Sequence, residues 1–424
     1  MELNEKKSAI QDEAVLKWTI NNKAGTVEVI TGLGKTFLAL KALYTMPKND
    51  LGTLHLFLAE QRDRETDFLK DVAKFNEIYK RDVFKDYNVQ FHCYQTVRNW
   101  KDYKLGLVIC DEIHDSISVE NYKFYLNNKY KAILGLTALF KGDLIYWVPE
   151  SHILHEVFKK GSISKQEMLD NIAPIVYKYN TNQGQIDGTS RKLNIYKINI
   201  ELDNVLKTVP AGSKEKPFYQ TEAAAYAYVD KKYNEANNLT QGLLEDFYRF
   251  QERKNLQLYK VINKRCKLLY ELPHKTIAVR LILATIKGKT VIFGNSLEKL
   301  TSITPNVVSS KNTEGSNNSI RMLFEEGVIK VIGSFKKLVQ GANLKEVDNC
   351  IIMSYYSTEV KFIQMIGRLR QNADKEGNVF ILISKGTQEE VWANKMLENS
   401  TEYNIIECEG VTDAMSKYRN NNLK

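Results

Sequence analysis

Glu28-Val-Ile-Thr-Gly-Leu-Gly-Lys-Thr36 decides how the rest of this chain is read. Val27, Val29 and Ile30 make a short apolar strand, two glycines then turn the chain, and Thr36 begins a helix through Phe37-Leu-Ala-Leu40. That order builds a cradle for phosphate. Gly32 and Gly34 let backbone N–H groups converge on an anion, Lys35 reaches the outer phosphates, and the Thr36 hydroxyl stands where a Mg²⁺ ligand is needed. The positive end of the helix dipole points at the same place. The pattern G-x-x-x-x-G-K-T opens on Gly, and here Val29 holds that position. A G-K-T tripeptide alone arises easily by chance; the strand before it and the helix after it give this one weight.

Composition sets the frame. A length of 424 residues suggests roughly two or three domains. No apolar run approaches the roughly 18 residues of a membrane span, and Met1-Glu-Leu-Asn-Glu-Lys-Lys7 has no apolar signal core. Cys93, Cys110, Cys266, Cys350 and Cys408 are scattered without a C-x-x-C pair. This points to a reducing, cytoplasmic setting and away from zinc. The net charge of +9 lies in the middle of the chain, where residues 151–290 hold 23 basic and 14 acidic side chains. Such a bias suits an acidic partner such as nucleic acid, though on its own it is a weak signal.

The first 150 residues alternate strands with helices, which implies a parallel sheet with ligands at the carboxyl ends of its strands. A helix is expected from Ser8 to Ile20. Its Gln11 is either a surface residue or an adenine reader, because an amide both donates and accepts. Strands follow at Thr53–Glu60, Gln90–Thr96, Leu105–Cys110 and Tyr130–Ala138, with a charged helix at Asp63–Phe75. The run Leu105-Gly-Leu-Val-Ile-Cys110 is wholly apolar, so it belongs at the centre. It ends in Asp111-Glu-Ile-His114. A carboxylate at the tip of a buried strand can hold Mg²⁺ opposite Thr36, and its neighbour can orient the attacking water. Asp111 is therefore assigned to the metal and Glu112 to the water.

The loop with Lys35 and Thr36, the D-E-I-H box and the strand end Leu136-Thr-Ala138 together resemble the first RecA-like lobe of a superfamily-two helicase of DEAH-box type. The resemblance implies that Thr137 links ATP state to movement between lobes. The family carries a small polar residue after T-A, where this chain has Leu139.

Residues 151–274 differ in texture. Asn171–Tyr179 is a candidate strand, and Arg191–Leu202 alternates with period two as a half-buried strand does. A polar connection, 180–190, lies between them, and Val209–Pro217 is a loop by composition. Two helices follow, Thr221–Asn237 and Gly242–Leu272. On the second, Arg253, Lys254, Lys260, Lys264, Arg265 and Lys267, with Phe250 and Tyr259 between them, either line a nucleic-acid channel or form a solvated face.

Residues 275–400 rebuild an α/β pattern without a second G-K-T. Ser334-Phe-Lys-Lys-Leu-Val-Gln-Gly-Ala-Asn-Leu344 resembles the family motif in which a Gly turn, here Gly341, touches nucleotide and nucleic-acid backbone. Gln364-Met-Ile-Gly-Arg-Leu-Arg-Gln371 resembles Q-x-x-G-R-x-x-R. Chemically, an arginine from the second lobe must reach the γ-phosphate and stabilise its developing charge. Arg368 matches a motif arginine. The last one belongs at 371, where this chain has Gln; Arg370 is one residue early, about 100° around a helix. Either Arg370 substitutes through a local irregularity or Arg368 acts alone. The tail, 401–424, ends in a polar stretch expected to fray.

These readings imply two RecA-like parallel-sheet lobes in tandem, at 1–150 and 275–400, with a mixed α+β insert between them. Within the superfamily the chain looks most like compact phage helicases of UvsW type and their Swi/Snf-like relatives. The resemblance implies an ATP- and Mg²⁺-dependent helicase or translocase that works as a monomer, on DNA rather than RNA, without a membrane, with a loading partner left open. Two other readings stay open: the motor subunit of a restriction-type complex, and a non-catalytic ATP-gated clamp. Val29, Leu139 and Gln371 favour the clamp; Lys35, Thr36, Asp111 and Glu112 oppose it.

Overall fold

A computed structural model gives the architecture. It describes residues 2–48, 50–62, 64–148, 150–212, 215–241, 251–335, 344, 346–354, 359–369, 375–398, 400 and 402–422; at residues 2, 3, 239–241, 251–256, 359–361, 364, 368 and 422 it describes the backbone alone. The chain divides into two compact units, Met1–Arg191 and Lys192–Lys424.

The first unit is built on β1 (Ala24–Val29), β2 (Leu54–Ala59), β3 (Asn88–Cys93), β4 (Lys104–Asp111) and β5 (Lys129–Thr137). A small antiparallel pair, β6 (Ile145–Trp147) with β7 (Ser162–Ser164), precedes β8 (Ile175–Tyr179). The main sheet runs β3-β2-β4-β5-β1-β8, and every pairing in it is parallel. The apolar texture of β4 and β5 follows from cover on both faces. Leu107, Ile109, Leu134 and Leu136 enter one layer with Trp18, Leu38 and Phe75. Val108, Cys110 and Ile133 enter the other with Tyr122, Phe124 and Met168. Trp18 also donates its indole N–H to the Ile133 carbonyl at 2.8 Å, tying the N-terminal helix Glu2–Ile20 to β5. Such a buried indole needs this partner.

The second unit opens with β9 (Leu193–Ile200) and a hairpin of β10 (Val209–Gly212) and β11 (Pro217–Gln220). Then come β12 (Thr290–Phe293), β13 (Val307–Ser309), β14 (Val331–Phe335), β15 (Asn349–Ile352), β16 (Gly377–Ser384) and β17 (Asn404–Glu409). Its sheet is also parallel throughout, in the order β13-β14-β12-β15-β16-β9-β17. The two α/β lobes in tandem are as the sequence implies.

Their boundaries are not. β8 hydrogen-bonds to β1, so the first lobe reaches past 150 to Arg191. β9 lies between β16 and β17, so the second lobe begins at Lys192 rather than 275. The expected half-buried strand is thus an inner one: Leu193 and Ile195 pack on one face, Tyr196 and Ile198 on the other. Its polar members are used sideways. Asn194 pairs with Glu376 at 2.8 Å and Asn404 at 2.7 Å, and Lys197 with Glu407 at 2.8 Å. The expected frayed tail is instead β17 and the helix Gly410–Asn422, with Cys408, Ala414 and Met415 in the core. The expected loop at 209–217 is the β10–β11 hairpin, turned with Gly212 at φ 86°, a conformation glycine adopts without a Cβ penalty. The polar 180–190 connection holds a short helix, Thr181–Ile186, closed by reciprocal Asn180 and Gln183 bonds.

What remains of the insert is a helix pair, Glu222–Gln241 and Gln251–Glu271, meeting through Tyr226, Val229, Leu269 and Leu272. It is anchored within the second unit: the Tyr226 hydroxyl accepts the Gln388 N–H at 2.8 Å, and Glu222 pairs with His274 at 2.6 Å.

Candidate active site

Parallel pairing brings three strand ends of the first unit to one edge. Asp111 on β4 is in register with Leu136 on β5, and Thr137 with Glu28 on β1. The turn after β1 depends on its glycines. Gly32 has φ 88°, and open space surrounds the place its Cβ would take; Gly34 has φ 86°, and a Cβ there would meet the Gln11 amide nitrogen at 2.9 Å. The helix Lys35–Leu43 then starts with Thr36 nearly buried.

Glu112 follows β4 with φ 51° and ψ 57°, a left-handed conformation that costs about 1–2 kcal/mol for a non-glycine residue. This turn carries its carboxylate to Lys35, and the two form an ion pair with only 13% and 19% of their side chains exposed. The second Glu112 oxygen is buried without a hydrogen-bond partner, as is the Thr31 hydroxyl in the phosphate loop. Asp111 is 3% exposed, and Arg64 Nη2 donates to its Oδ2 at 2.6 Å. Burial alone would raise the Asp111 carboxyl, but Arg64 and Lys35 outweigh it and hold the group below the usual carboxylate range.

His114 and Thr137 are joined, with Glu112 beside them. The single Thr137 hydroxyl proton goes to the Leu139 carbonyl at 2.8 Å, so His114 Nδ1, 3.0 Å away, must donate to that hydroxyl. The same Nδ1 lies 3.4 Å from Glu112 Oε2. Burial pushes the His114 pKa down to about 4, which keeps the ring neutral. On the far side, Asp115 Oδ1 lies 3.4 Å from His114 Nε2, and its carboxyl is pushed up to about 7 by burial and by Glu60 and Glu112. The D-E-I-H box and the T-A-L strand end are therefore one hydrogen-bonded unit.

Gln11 donates its amide N–H to the Leu33 carbonyl at 2.7 Å, and Lys7 reaches the Gly32 carbonyl at 3.0 Å. Both brace the phosphate loop from the N-terminal helix. Gly32, Gly34, Lys35, Thr36, Gln11, Asp111 and Glu112 thus come together within one unit. In the second unit the backbone of Gln364 lies in the helix Glu359–Ile366, and that of Arg368 in a tighter 3-10 turn, Gly367–Leu369. The spacing of 100° per residue therefore ends at Ile366, before Arg368. The side chains of Gln364 and Arg368, and all of Gly341, Arg370 and Gln371, lie outside the described residues. On the second helix of the insert, Arg265 does not line a channel. It is 5% exposed, bonds Asp230 at 2.8 Å, and lies 3.7 Å from the Tyr233 ring centroid. Arg253, Lys254 and Phe250 also lie outside the described side chains, while Tyr259 is 63% exposed.

The sequence reading missed Lys7, Arg64 and Asp71, and gave His114 no role. Arg64 and Asp71 are charged residues on a charged helix, and no sequence signal sets them apart from their solvated neighbours.

Residues 2–142 match the family model described as "Type III restriction enzyme, res subunit". The chain is 24% identical over 400 residues to "DNA 3'-5' translocase XPB2" of Sulfurisphaera tokodaii, spanning 89% of this chain and 81% of that protein. Among solved structures, S. cerevisiae Dbp5 bound to RNA and ADP BeF3 superposes with a TM-score of 0.55 at 11% identity, over 98% of this chain and 93% of that one. The ATP-dependent Type ISP restriction-modification enzyme LlaBIII bound to DNA superposes with a TM-score of 0.56 at 13% identity, over 97% of this chain and 32% of that one. At these identities the structural likenesses speak for the fold, and the family match for the first lobe. With two RecA-like sheets in tandem and the motifs in family order, the chain is similar to superfamily-two helicases and translocases, in its first lobe through the family match and over most of its length through the archaeal translocase.

Proposed function

We infer that the chain is an ATP-dependent motor on DNA, a helicase or translocase that hydrolyses ATP at the carboxyl edge of its first sheet. The observation that carries this reading is the ion pair between Lys35, at the start of the helix that follows the phosphate loop, and Glu112, next to Asp111 at the end of β4. Two buried polar groups without partners, the Thr31 hydroxyl and Glu112 Oε2, call for a polar ligand there.

Lys35 and the backbone around Gly32 and Gly34 would bind the phosphates, Glu112 would orient and deprotonate the attacking water, and Gln11 would read the adenine from the brace it makes with Leu33. Thr36 and Asp111 fit Mg²⁺, which supplies neutralising charge at the β- and γ-phosphates. Among the described residues no group of three or more His, Cys, Asp or Glu could hold a metal. That suits an ion shared with substrate phosphate. Arg368 or Arg370 would complete the site from the second lobe, with Gln364 and Gly341 beside the nucleotide. DNA is favoured because the relative similar over most of this chain is a DNA translocase. A second reading, the motor of a restriction-type complex, is favoured by the family match of residues 2–142; nuclease action would then come from a partner.

The test is the ATP turnover of the purified protein with no polymer, single-stranded DNA, duplex DNA or single-stranded RNA, at low and moderate salt. Stimulation by DNA that weakens with salt is expected, since backbone contacts dominate such binding. Turnover indifferent to every polymer would overturn the motor reading.

A further inference from the structure

The helix Arg64–Tyr79 follows directly on β2 and sets a residue against each of the two side chains assigned to the metal. Arg64 meets Asp111 at 2.6 Å. Asp71, two helical turns later and so on the same face, has its carboxyl against the Thr36 hydroxyl. A carboxylate as buried as Asp111 requires a counter-charge, and Arg64 supplies the same sign of charge that a divalent cation would bring.

We propose that Arg64 is a positioning residue of the nucleotide site: it pairs with Asp111 when no metal is bound, and it must yield that carboxylate to the incoming divalent cation. This rests on the reading of the Lys35–Thr36 loop as the ATP site.

Three features point to Arg64, rather than Asp111, as the group that gives way. The Asp111 backbone is fixed, because the buried Tyr94 hydroxyl donates to its carbonyl at 2.8 Å. Arg64 has a long side chain that is 25% exposed, against 3% for Asp111. A second carboxylate waits one turn along its own helix, with Asp67 Oδ2 at 3.8 Å from Arg64 Nη1 and 37% of its side chain exposed. Arg64 can therefore leave Asp111 without leaving its charge uncompensated. The cation's affinity is then set against the Arg64–Asp111 pair, and weakening that pair should lower the Mg²⁺ concentration the site requires.

The experiment titrates Mg²⁺ into full-length protein with a fluorescent, non-hydrolysable ATP analogue and reads nucleotide binding, not turnover. Arg64→Gln is expected to reach half-maximal binding at about one-tenth of the wild-type Mg²⁺ concentration, equivalent to roughly 1.4 kcal/mol. Arg64→Lys, which keeps a cation there, should stay near wild type. Asp67→Asn, at an exposed position that does not endanger folding, removes the release position and should raise the requirement. An unchanged Mg²⁺ requirement in Arg64→Gln overturns the proposal; should that variant fail to fold, an unchanged requirement in Asp67→Asn does so. Wild-type protein that binds no nucleotide at any Mg²⁺ concentration would overturn the ATP-site reading itself, a separate result.

Discussion

Replacing Glu112 by Gln changes one charge and almost nothing in shape. The left-handed backbone at this residue is kept, so any effect comes from the carboxylate. Two consequences pull in different directions. If Glu112 orients and deprotonates the attacking water, its loss should lower turnover by about 100-fold or more, the ordinary worth of a positioned general base. Nucleotide affinity should move the other way. In the absence of nucleotide Lys35 is paired with Glu112, and both side chains are mostly shielded from water. At an effective dielectric near 20 such a pair attracts by about 4 kcal/mol, and desolvation returns a large part of that. A net worth of roughly 1–2 kcal/mol must be given up when Lys35 turns to phosphate. Glu112→Gln removes that cost, so nucleotide should bind about 5- to 30-fold more tightly. The assay pairs steady-state ATP turnover with titration of a fluorescent ATP analogue at saturating Mg²⁺. Turnover within about threefold of wild type would refute the role of Glu112, and binding tenfold weaker would refute the idea that it holds Lys35 in reserve.

Arg368→Ala and Arg370→Ala, made separately, should identify the arginine that reaches the γ-phosphate; that one should lose about 10³-fold or more in turnover, and no loss in either would remove the motif assignment. Lys275 and Glu389 are both wholly buried and meet at 2.5 Å, joining the helix Pro273–Thr285 to Gln388–Leu397. Lys275→Met should cost about 3–5 kcal/mol by leaving Glu389 uncompensated, whereas the double change with Glu389→Leu should recover most of it; an additive double variant in thermal unfolding would contradict this. His55 accepts the Leu107 N–H at 3.0 Å through Nδ1, and burial depresses its pKa to about 4, as it does for His114. Their stabilisation is full above the ordinary histidine value of about 6.5 and is lost as pH falls toward 4. Melting temperatures of the first unit should therefore drop across that window, less steeply in His55→Gln; an identical slope would exclude His55.

How much was legible depended on whether residues declare their neighbours. The phosphate loop did so, because glycine spacing and G-K-T between an apolar strand and a helix have one economical reading. Leu105–Cys110 did so as well, since a run buried on both faces that ends in two carboxylates leaves little choice. β9 did not. Asn194 and Lys197 look like solvent-facing residues until Glu376, Asn404 and Glu407 are placed beside them, and those partners are over 180 residues away in sequence. The join of β8 to the first sheet was hidden for the same reason. Arg64 was hidden differently: its helix carries charges on several faces, and only the register between that helix and β4 selects the one that reaches Asp111.

The departures from the family pattern bear on whether this is an enzyme or an inert clamp. Val29 stands where the motif has Gly, but it is the last residue of β1, fully buried and in register with Tyr179 of β8. Its side chain packs into the core, so the glycines the turn needs are the two at 32 and 34, both of which have positive φ. Leu139 stands where the motif has a small polar residue, but Thr137 bonds to the backbone of Leu139, through its carbonyl and its N–H at 2.8 and 3.3 Å. Any residue at 139 supplies those two groups. The bond from His114 to Thr137 therefore stands without the missing side chain. Two of the three features that favoured a clamp are thus absorbed by the backbone. The charged set that a clamp would have no reason to keep, Lys35 paired with Glu112 and Arg64 with Asp111, is intact.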